Sequence, residues 1–318
     1  SFKPDASLSV CARVSLRSEK RTCAAPSCKL FRSNCRAVCY ISFILRVASA
    51  LIACAASFRP RPIADILRYY LPMNETQTPA QALEPALYLL PTFLGDTPCD
   101  RVLPAYNIAL LSSIRHFIVE EIRTARRFLR RADRTFDIDA CEFYPMGKHA
   151  DAAAFKRYLQ PLRDGKPMGV LSEAGCPAVA DPGADIVALA QREGLKVVPL
   201  VGPSSIILAV MASGFNGQSF AFNGYLPIDG AERQRCLKHL ESQSRNERRT
   251  QLFIETPYRN ARLFADVLQA CQPTTRLCIA AGITTPQEWI CTRTLRQWRQ
   301  TGLPDLGKTP AIFALYAG

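Results

Sequence analysis

Apolar residues along 86–318 fall into short unbroken runs separated by longer stretches of helical period. Leu87 to Leu90, His116 to Val119, the run ending at Val170-Leu171 and Lys196 to Pro199 read as strands of a parallel sheet. A strand covered on both faces has no polar side, so its apolar positions do not alternate. Thr124 to Arg134, Ala184 to Arg192 and Ile206 to Ser213 read as the intervening helices. A second set follows: Phe220 to Leu226, closed by Pro227, then strands over Gln251 to Glu255, Arg276 to Ala281, Glu288 to Thr292 and Pro310 to Tyr316. The helix Asn260 to Ala270 joins this set and presents Leu263, Phe264, Val267 and Leu268 on one face. Asp229 to Thr250 mixes both charge signs, which predicts a solvated helix or a surface lid. This order predicts an α/β chain of two α/β domains, 86–200 and 201–318, changing over near Pro199 to Gly202, with the ligand cleft between them.

The segment before this pattern has another character. Residues 1–72 carry twelve Lys/Arg against three Asp/Glu, so +9 of the chain's net +13 lies there and +4 elsewhere. They hold six of thirteen cysteines and no clear period, and the first methionine is Met73. The apolar run 37–58 has nine Val/Ile/Leu/Phe worth about −0.3 to −0.6 kcal/mol each, opposed by roughly +2.5 to +3.5 for Arg46, a marginal sum for a membrane span. We expect residues 1–72 to be disordered or absent from the mature protein, residues 73–85 to be a polar lead-in, and the protein to be cytoplasmic without stable membrane association. The seven later cysteines, 99, 141, 176, 236, 271, 278 and 291, include no C-x₂-C pair. Neither a disulfide framework nor a metal site is expected.

Candidate chemistry sits in the turns that follow the strands. Gly169 to Gly183, GVLSEAGCPAVADPG, runs from a strand through Glu173, Ala174, Gly175 and Asp181 into a helix. Glycines let backbone approach a ligand closely, and carboxylates there accept hydrogen bonds from ribose hydroxyls or an ammonium. The bland alternative is a tight connection. Gly95-Asp96 follows the first strand, and Glu120, Glu121 and Arg123 follow the second, either holding a substrate group or forming a helix N-terminal turn. Val201-Gly202-Pro203-Ser204-Ser205 offers a close-approach glycine and hydroxyls that cap the next helix, which Gly214 stops. His149 is a general-base candidate or a structural loop histidine. Arg126, Arg127, Arg130, Arg131 and Arg134 form the densest basic face, suited to RNA phosphates or to solvent. No G-x-G-x-x-G occurs.

SEAGCPAVADPG resembles the signature of the tetrapyrrole methylase superfamily, the class III S-adenosylmethionine (SAM) methyltransferases, in the branch of rRNA small subunit methyltransferase I-like proteins. LYLLPTFLGD, VEEIRTARRFL, VPLVGPSS and LFIETPYRN fall in the expected order around it, and the likeness spans most of Leu87 to Gly318. The resemblance implies SAM as cofactor, held by Gly95, Asp96, Glu173, Ala174, Gly175, Asp181, Gly202, Pro203 and Ser204, with Glu255 and Thr256 from the second domain. It implies acceptor-side roles for Glu120, Glu121, Arg123 and His149, a ribosomal RNA or small ribosomal subunit partner, and a homodimer. This chain departs from the branch at Phe93, Glu121, Ala150 and Lys308. Three functions therefore stay open: an rRNA ribose 2′-O-methyltransferase, a SAM-dependent methyltransferase of a small molecule such as a tetrapyrrole, and a non-catalytic SAM-binding regulator.

Overall fold

The computed structural model describes residues 83–146 and 152–318. The expectations for residues 1–72 and for His149 lie outside them. Ala80–Gly318 is one compact unit, built on two sheets.

In the first, β1 (Leu87–Leu89) leads through α1 (Cys99–Val102) and α2 (Ala105–Leu111) to β2 (His116–Val119), then through α3 (Ile122–Ala132) to β3 (Glu142–Pro145). Helices α4 (Ala152–Tyr158) and α5 (Gln160–Arg163) return the chain to β4 (Met168–Leu171), and α6 (Ala184–Arg192) to β5 (Val197–Pro199). The order is β3-β2-β4-β1-β5, all parallel. Both β2 and β4 are buried along their whole length, as their unbroken apolar runs require. Leu90, Leu111, Ile114 and Phe117 fill one side, and Ile118, Leu159, Val170 and Ile186 the other.

α7 (Ser205–Ser213) leads into the second sheet, in which β6 (Phe220–Tyr225), α8 (Gly230–Glu247) and β7 (Thr250–Ile254) follow in turn. A 3₁₀ turn, Pro257–Arg259, and α9 (Asn260–Ala270) precede β8 (Arg276–Ala281); β9 (Trp289–Thr294), α10 (Leu295–Thr301) and β10 (Ala311–Tyr316) complete it. Its order is β6-β7-β10-β8-β9, with β6 and β7 parallel and the other pairs antiparallel. Around Phe253, Phe313 and Trp298, all fully buried, it forms its own core. The Trp298 indole N–H donates to Leu277 O at 2.9 Å, which removes the cost of burying it.

The expectation of a solvated or mobile Asp229 to Thr250 is corrected. Leu237 and Leu240 bury one stripe of α8 in that core. Arg233 is 2% exposed; its guanidinium donates to Asp266 at 2.7 Å and to the carbonyls of Pro227 and Ile228. Buried Glu241 accepts from the Gln272 amide and the Thr275 hydroxyl. The charged residues of this helix thus include the ones that dock it. Asp229 caps it by accepting from the Glu232 amide at 2.9 Å.

Candidate functional site

Adjacent parallel strands β1 and β4 end side by side, so the turns beyond their carboxyl ends must meet. The Thr92 amide donates to Gly175 O at 2.8 Å. Gly175 has φ +73°, and a Cβ there would stand 3.2 Å from Leu94 Cδ2. The Val201–Ser204 turn packs onto the same place. A Cβ on Gly202 would lie 2.3 Å from Pro91 Cβ, so no other residue fits without parting the two turns. The Cys176 thiol donates to Pro203 O at 3.5 Å, and the Asn107 amide to Val201 O at 2.8 Å. The turns carrying Gly95, Gly175 and Gly202-Pro203, separated widely in sequence, are in one constellation.

Carboxylates stand beside it. Glu120 accepts from the Glu173 amide at 3.0 Å, which ties the end of β2 to the turn after β4. Asp181 is half-buried, and desolvation followed by the neighbouring Glu120 charge raises its pKa to about 6, against the pull of a hydrogen bond from Ser172; Glu173 adds to the upward push. Ala178 and Ala180 in this turn both take positive φ, 66° each, a conformation that costs non-glycine residues free energy and is tolerated where surroundings over-determine it. The Ser172 hydroxyl donates to Ala174 O at 3.3 Å.

Glu121, by contrast, caps α3: its carboxylate accepts from the Thr124 amide at 2.7 Å and the Thr124 hydroxyl at 3.2 Å. Hydrogen bonds from the Arg123 and Thr124 amides hold its pKa below the usual range. Those are the properties of a helix cap, and they lower its basicity. Glu121→Ala should lower the melting temperature, read by circular dichroism, while leaving ligand affinity at the glycine turns unchanged. The expected cap at α7 is corrected. Ser204 occupies the N-cap position but makes no side-chain capping bond, so its hydroxyl is not committed to the helix. Gly214 does stop α7, at φ 71°.

The basic face of α3 is only partly available to a ligand. Arg131 donates to Asp96 at 2.8 Å and to Thr97 O at 2.6 Å, and its guanidinium lies 4.4 Å from the Phe93 ring centre. Arg126 pairs with Asp139 at 3.1 Å. Arg134 lies beyond the helix, and Arg127 and Arg130 remain exposed. Arg131 therefore shapes the Gly95-Asp96 loop. Because a lysine cannot make the forked contacts or the stack, Arg131→Lys should cost about 1 kcal/mol in urea unfolding, despite keeping the charge.

The second sheet contributes a loop to this region that sequence reasoning passed over. Thr285 Cγ2 lies where a Cβ on Gly95 would come within 2.5 Å, and the Thr97 hydroxyl donates to Thr284 O at 2.7 Å. Thr284 has φ 71°, an outlier for a β-branched residue, and is held by its amide donating to Glu288 at 2.7 Å. A signal was present in Gly282-Ile283-Thr284-Thr285-Pro286, a polar turn directly after a strand. Gly282 packs on Thr309, whose carbonyl accepts from the Asn260 amide. These contacts put the Glu255 corner at the same end of the second sheet. Glu255 is buried there, accepting from the Thr256 amide and from Arg259, each at 2.7 Å. Arg259 Nε and Asn260 Oδ1 are buried at this corner with no hydrogen-bond partner. The structure gives no direct contact from Glu255 or Thr256 to the glycine turns.

A parallel sheet joined to a mixed one, with three glycine turns in mutual contact beside carboxylates at strand carboxyl ends, is an α/β arrangement that makes a ligand crevice. No family profile matches the chain. It is 31% identical over 224 residues to the ribosomal RNA small subunit methyltransferase I of Mesorhizobium japonicum, covering 70% of this chain and 72% of that protein. To the protein of that name from Vibrio cholerae it is 30% identical over 206 residues, 65% of this chain and 67% of the relative. The Thermotoga maritima protein of that name is 40% identical over 114 residues, 36% of this chain and 49% of the relative. The chain belongs to the ribosomal RNA small subunit methyltransferase I family. Among solved structures, the methyltransferase CobJ aligns with a TM-score of 0.49 at 14% identity, over 73% of this chain and 93% of that one.

Proposed function

We propose that this protein transfers a methyl group from SAM to a ribose 2′-hydroxyl of small-subunit ribosomal RNA. The observation that carries this reading is the mutual contact of the Pro91–Gly95, Glu173–Gly175 and Gly202–Ser204 turns beside Glu120 and Asp181. This donor set fits the cofactor: carboxylates suit its ammonium and ribose hydroxyls, while uncapped Ser204 at the start of α7 suits its carboxylate. The unpartnered Arg259 and Asn260 atoms offer further polar contacts from the second sheet. SAM supplies an electrophilic methyl on a sulfonium.

The chain's own contribution is positional. Close-approach glycines fix the turns to one another, and alignment of donor and acceptor of this kind is worth up to about 7 to 11 kcal/mol in model systems. A ribose hydroxyl must lose its proton, and Glu120, tied to the Glu173 amide through one oxygen, is our candidate acceptor for it. Arg123 and His149 keep acceptor-side roles in this proposal, Arg123 standing in the first turn of α3. The small-molecule reading is not favoured, because relatives matched over two thirds of their length carry an RNA substrate in their names.

The proposed domain division is 86–200 and 201–318, and the proposed assembly is a cytoplasmic homodimer. Val201, Ile207 and Met211, at 76%, 47% and 73% exposure, present an apolar surface on and before α7 that a second copy would cover. Among the described residues no helix is long and apolar enough to cross a membrane.

The test is transfer of tritiated methyl from SAM to small ribosomal subunits, with the modified nucleotide mapped. Incorporation at a 2′-oxygen is the expected result. Methylation of free tetrapyrrole but not of subunits, or SAM binding with no transfer to either, would overturn it.

A further inference from the structure

The end of the second sheet remote from the glycine turns carries a separate cleft of about 520 Å³, lined by Phe215, Asn216, Gln218, Arg248, Arg276 and Tyr316. Arg276 opens β8 and Tyr316 closes β10, paired across the ladder, whereas Ala281 at the other end of β8 leads to Gly282 and the loop that meets Gly95. Five strand steps at about 3.3 Å separate the two ends by roughly 17 Å. The cleft is therefore not part of the site described above.

Its chemistry is cationic and aromatic. Phe215 and Tyr316 stack at 5.5 Å, and the Arg276 guanidinium lies 5.1 and 5.0 Å from the two ring centres. Arg276 also donates to Gly318 O at 3.4 Å. Among the described residues neither Arg248 nor Arg276 pairs with an Asp or Glu side chain, while nearby Arg245 and Arg249 pair with Glu241 and Glu247. Arg248 is held at φ 51° as the C-cap of α8, and its carbonyl accepts from the Asn216 amide at 2.6 Å. The Arg248 side chain is exposed. No Asp or Glu side chain lines the cleft, and its polar side-chain groups are arginines, amides and the Tyr316 hydroxyl. Guanidinium groups with no Asp or Glu partner, beside a stacked aromatic pair, suit a phosphate joined to a planar base. The volume lies within the range of small-ligand pockets.

We propose that this cleft is a second RNA contact, taking one single-stranded nucleotide with its phosphate on Arg248 and Arg276 and its base extending the Phe215–Tyr316 stack. This rests on the rRNA substrate reading and adds to it a docking point away from the methyl-transfer site. Binding of labelled single-stranded RNA of about 10 nucleotides, a length in the range such grooves take, should be followed by fluorescence anisotropy on the full chain at several salt concentrations. Arg248→Gly removes the charge and suits the left-handed backbone, so the fold should be kept. It should weaken binding roughly 3- to 10-fold and reduce the slope of log affinity on log salt by about 0.7, the single-strand increment per phosphate contact. SAM affinity should not change. Arg276→Gln should act in the same direction, and if it fails to fold, Arg248→Gly decides.

Inorganic phosphate should displace the RNA poorly, since it lacks the stacked base; displacement as effective as by unlabelled RNA would overturn the nucleotide assignment. Unchanged affinity and salt slope in Arg248→Gly, with wild-type methyl transfer to subunits intact, would overturn the cleft alone. A wild-type chain that neither binds RNA nor transfers methyl would overturn the underlying reading as well.

Discussion

Gly202→Ala should weaken SAM binding about 100-fold or more, measured by calorimetric titration of the full chain. The added methyl would sit 2.3 Å from Pro91 Cβ and 2.7 Å from Pro91 Cγ, and a proline ring cannot rotate aside. The Val201–Ser204 turn must therefore move away from the Pro91–Gly95 loop by about 1 Å, a displacement that commonly costs two orders of magnitude where geometry has to be held. Overpacking should also lower stability by about 1 to 3 kcal/mol. Gly175→Val should abolish binding, because it adds the cost of a left-handed backbone to a 3.2 Å approach on Leu94. Gly217→Ala is the control: its Cβ would make only an ordinary 3.7 Å contact with Val210. Undiminished affinity in Gly202→Ala would mean that the glycine turns do not hold the cofactor.

Asp181→Asn should weaken SAM binding about 10- to 100-fold at pH 7, the loss expected for a charge-assisted hydrogen bond of roughly 1.5 to 3 kcal/mol. With its pKa raised to about 6 by desolvation and Glu120, Asp181 is largely ionised at pH 7 and largely neutral at pH 5. Wild-type affinity should therefore rise with pH through about 6, and that inflection should vanish in the variant. Stability of the free protein runs the opposite way. The folded state binds this proton more tightly than the unfolded state, so the group's contribution is present below the unfolded carboxylate value near 3.8 and is lost as pH rises through about 6. Relative to Asp181→Asn, the free wild-type chain should melt at a lower temperature at pH 7 than at pH 4.5, after the common pH effect is subtracted. An affinity profile indifferent to the substitution would remove Asp181 from the cofactor site.

Four elements were legible to the residue. His116–Val119, Arg276–Ala281, Ala184–Arg192 and Asn260–Ala270 have the bounds their apolar periods give. The two strands are buried along nearly their whole length and the two helices along one face, and burial writes itself into sequence. β3 went unread because Glu142–Pro145 is an edge strand with no fully buried residue, only Phe143 and Tyr144 being partly covered, one on each side of the sheet. α1 and α5 are only four residues long, too short for a helical period to repeat, and the seven-residue α2 offers one short stripe of Asn107, Leu110 and Leu111. The docking of α8 was hidden for another reason: its anchors include Arg233 and Glu241, whose partners Asp266, Gln272 and Thr275 lie more than 30 positions away.

The sequence by itself determined the α/β class, the strand-to-turn positions of the glycine motifs and, through their likeness to one family, the chemistry to look for. A glycine or an aspartate after a strand declares a turn because local backbone conformation and residue type are linked. Tertiary structure alone decided which turns meet. Pro91 against Gly202, Thr92 against Gly175, Thr97 against Thr284 and Glu120 against the Glu173 amide are contacts between segments 53 to 187 positions apart. It also assigned Glu121 to a helix cap, Arg131 to a loop and Arg248 with Arg276 to a shared cleft. The charge of a side chain is fixed by its formula, but its partner and its desolvation are fixed by packing, which no single stretch of chain contains.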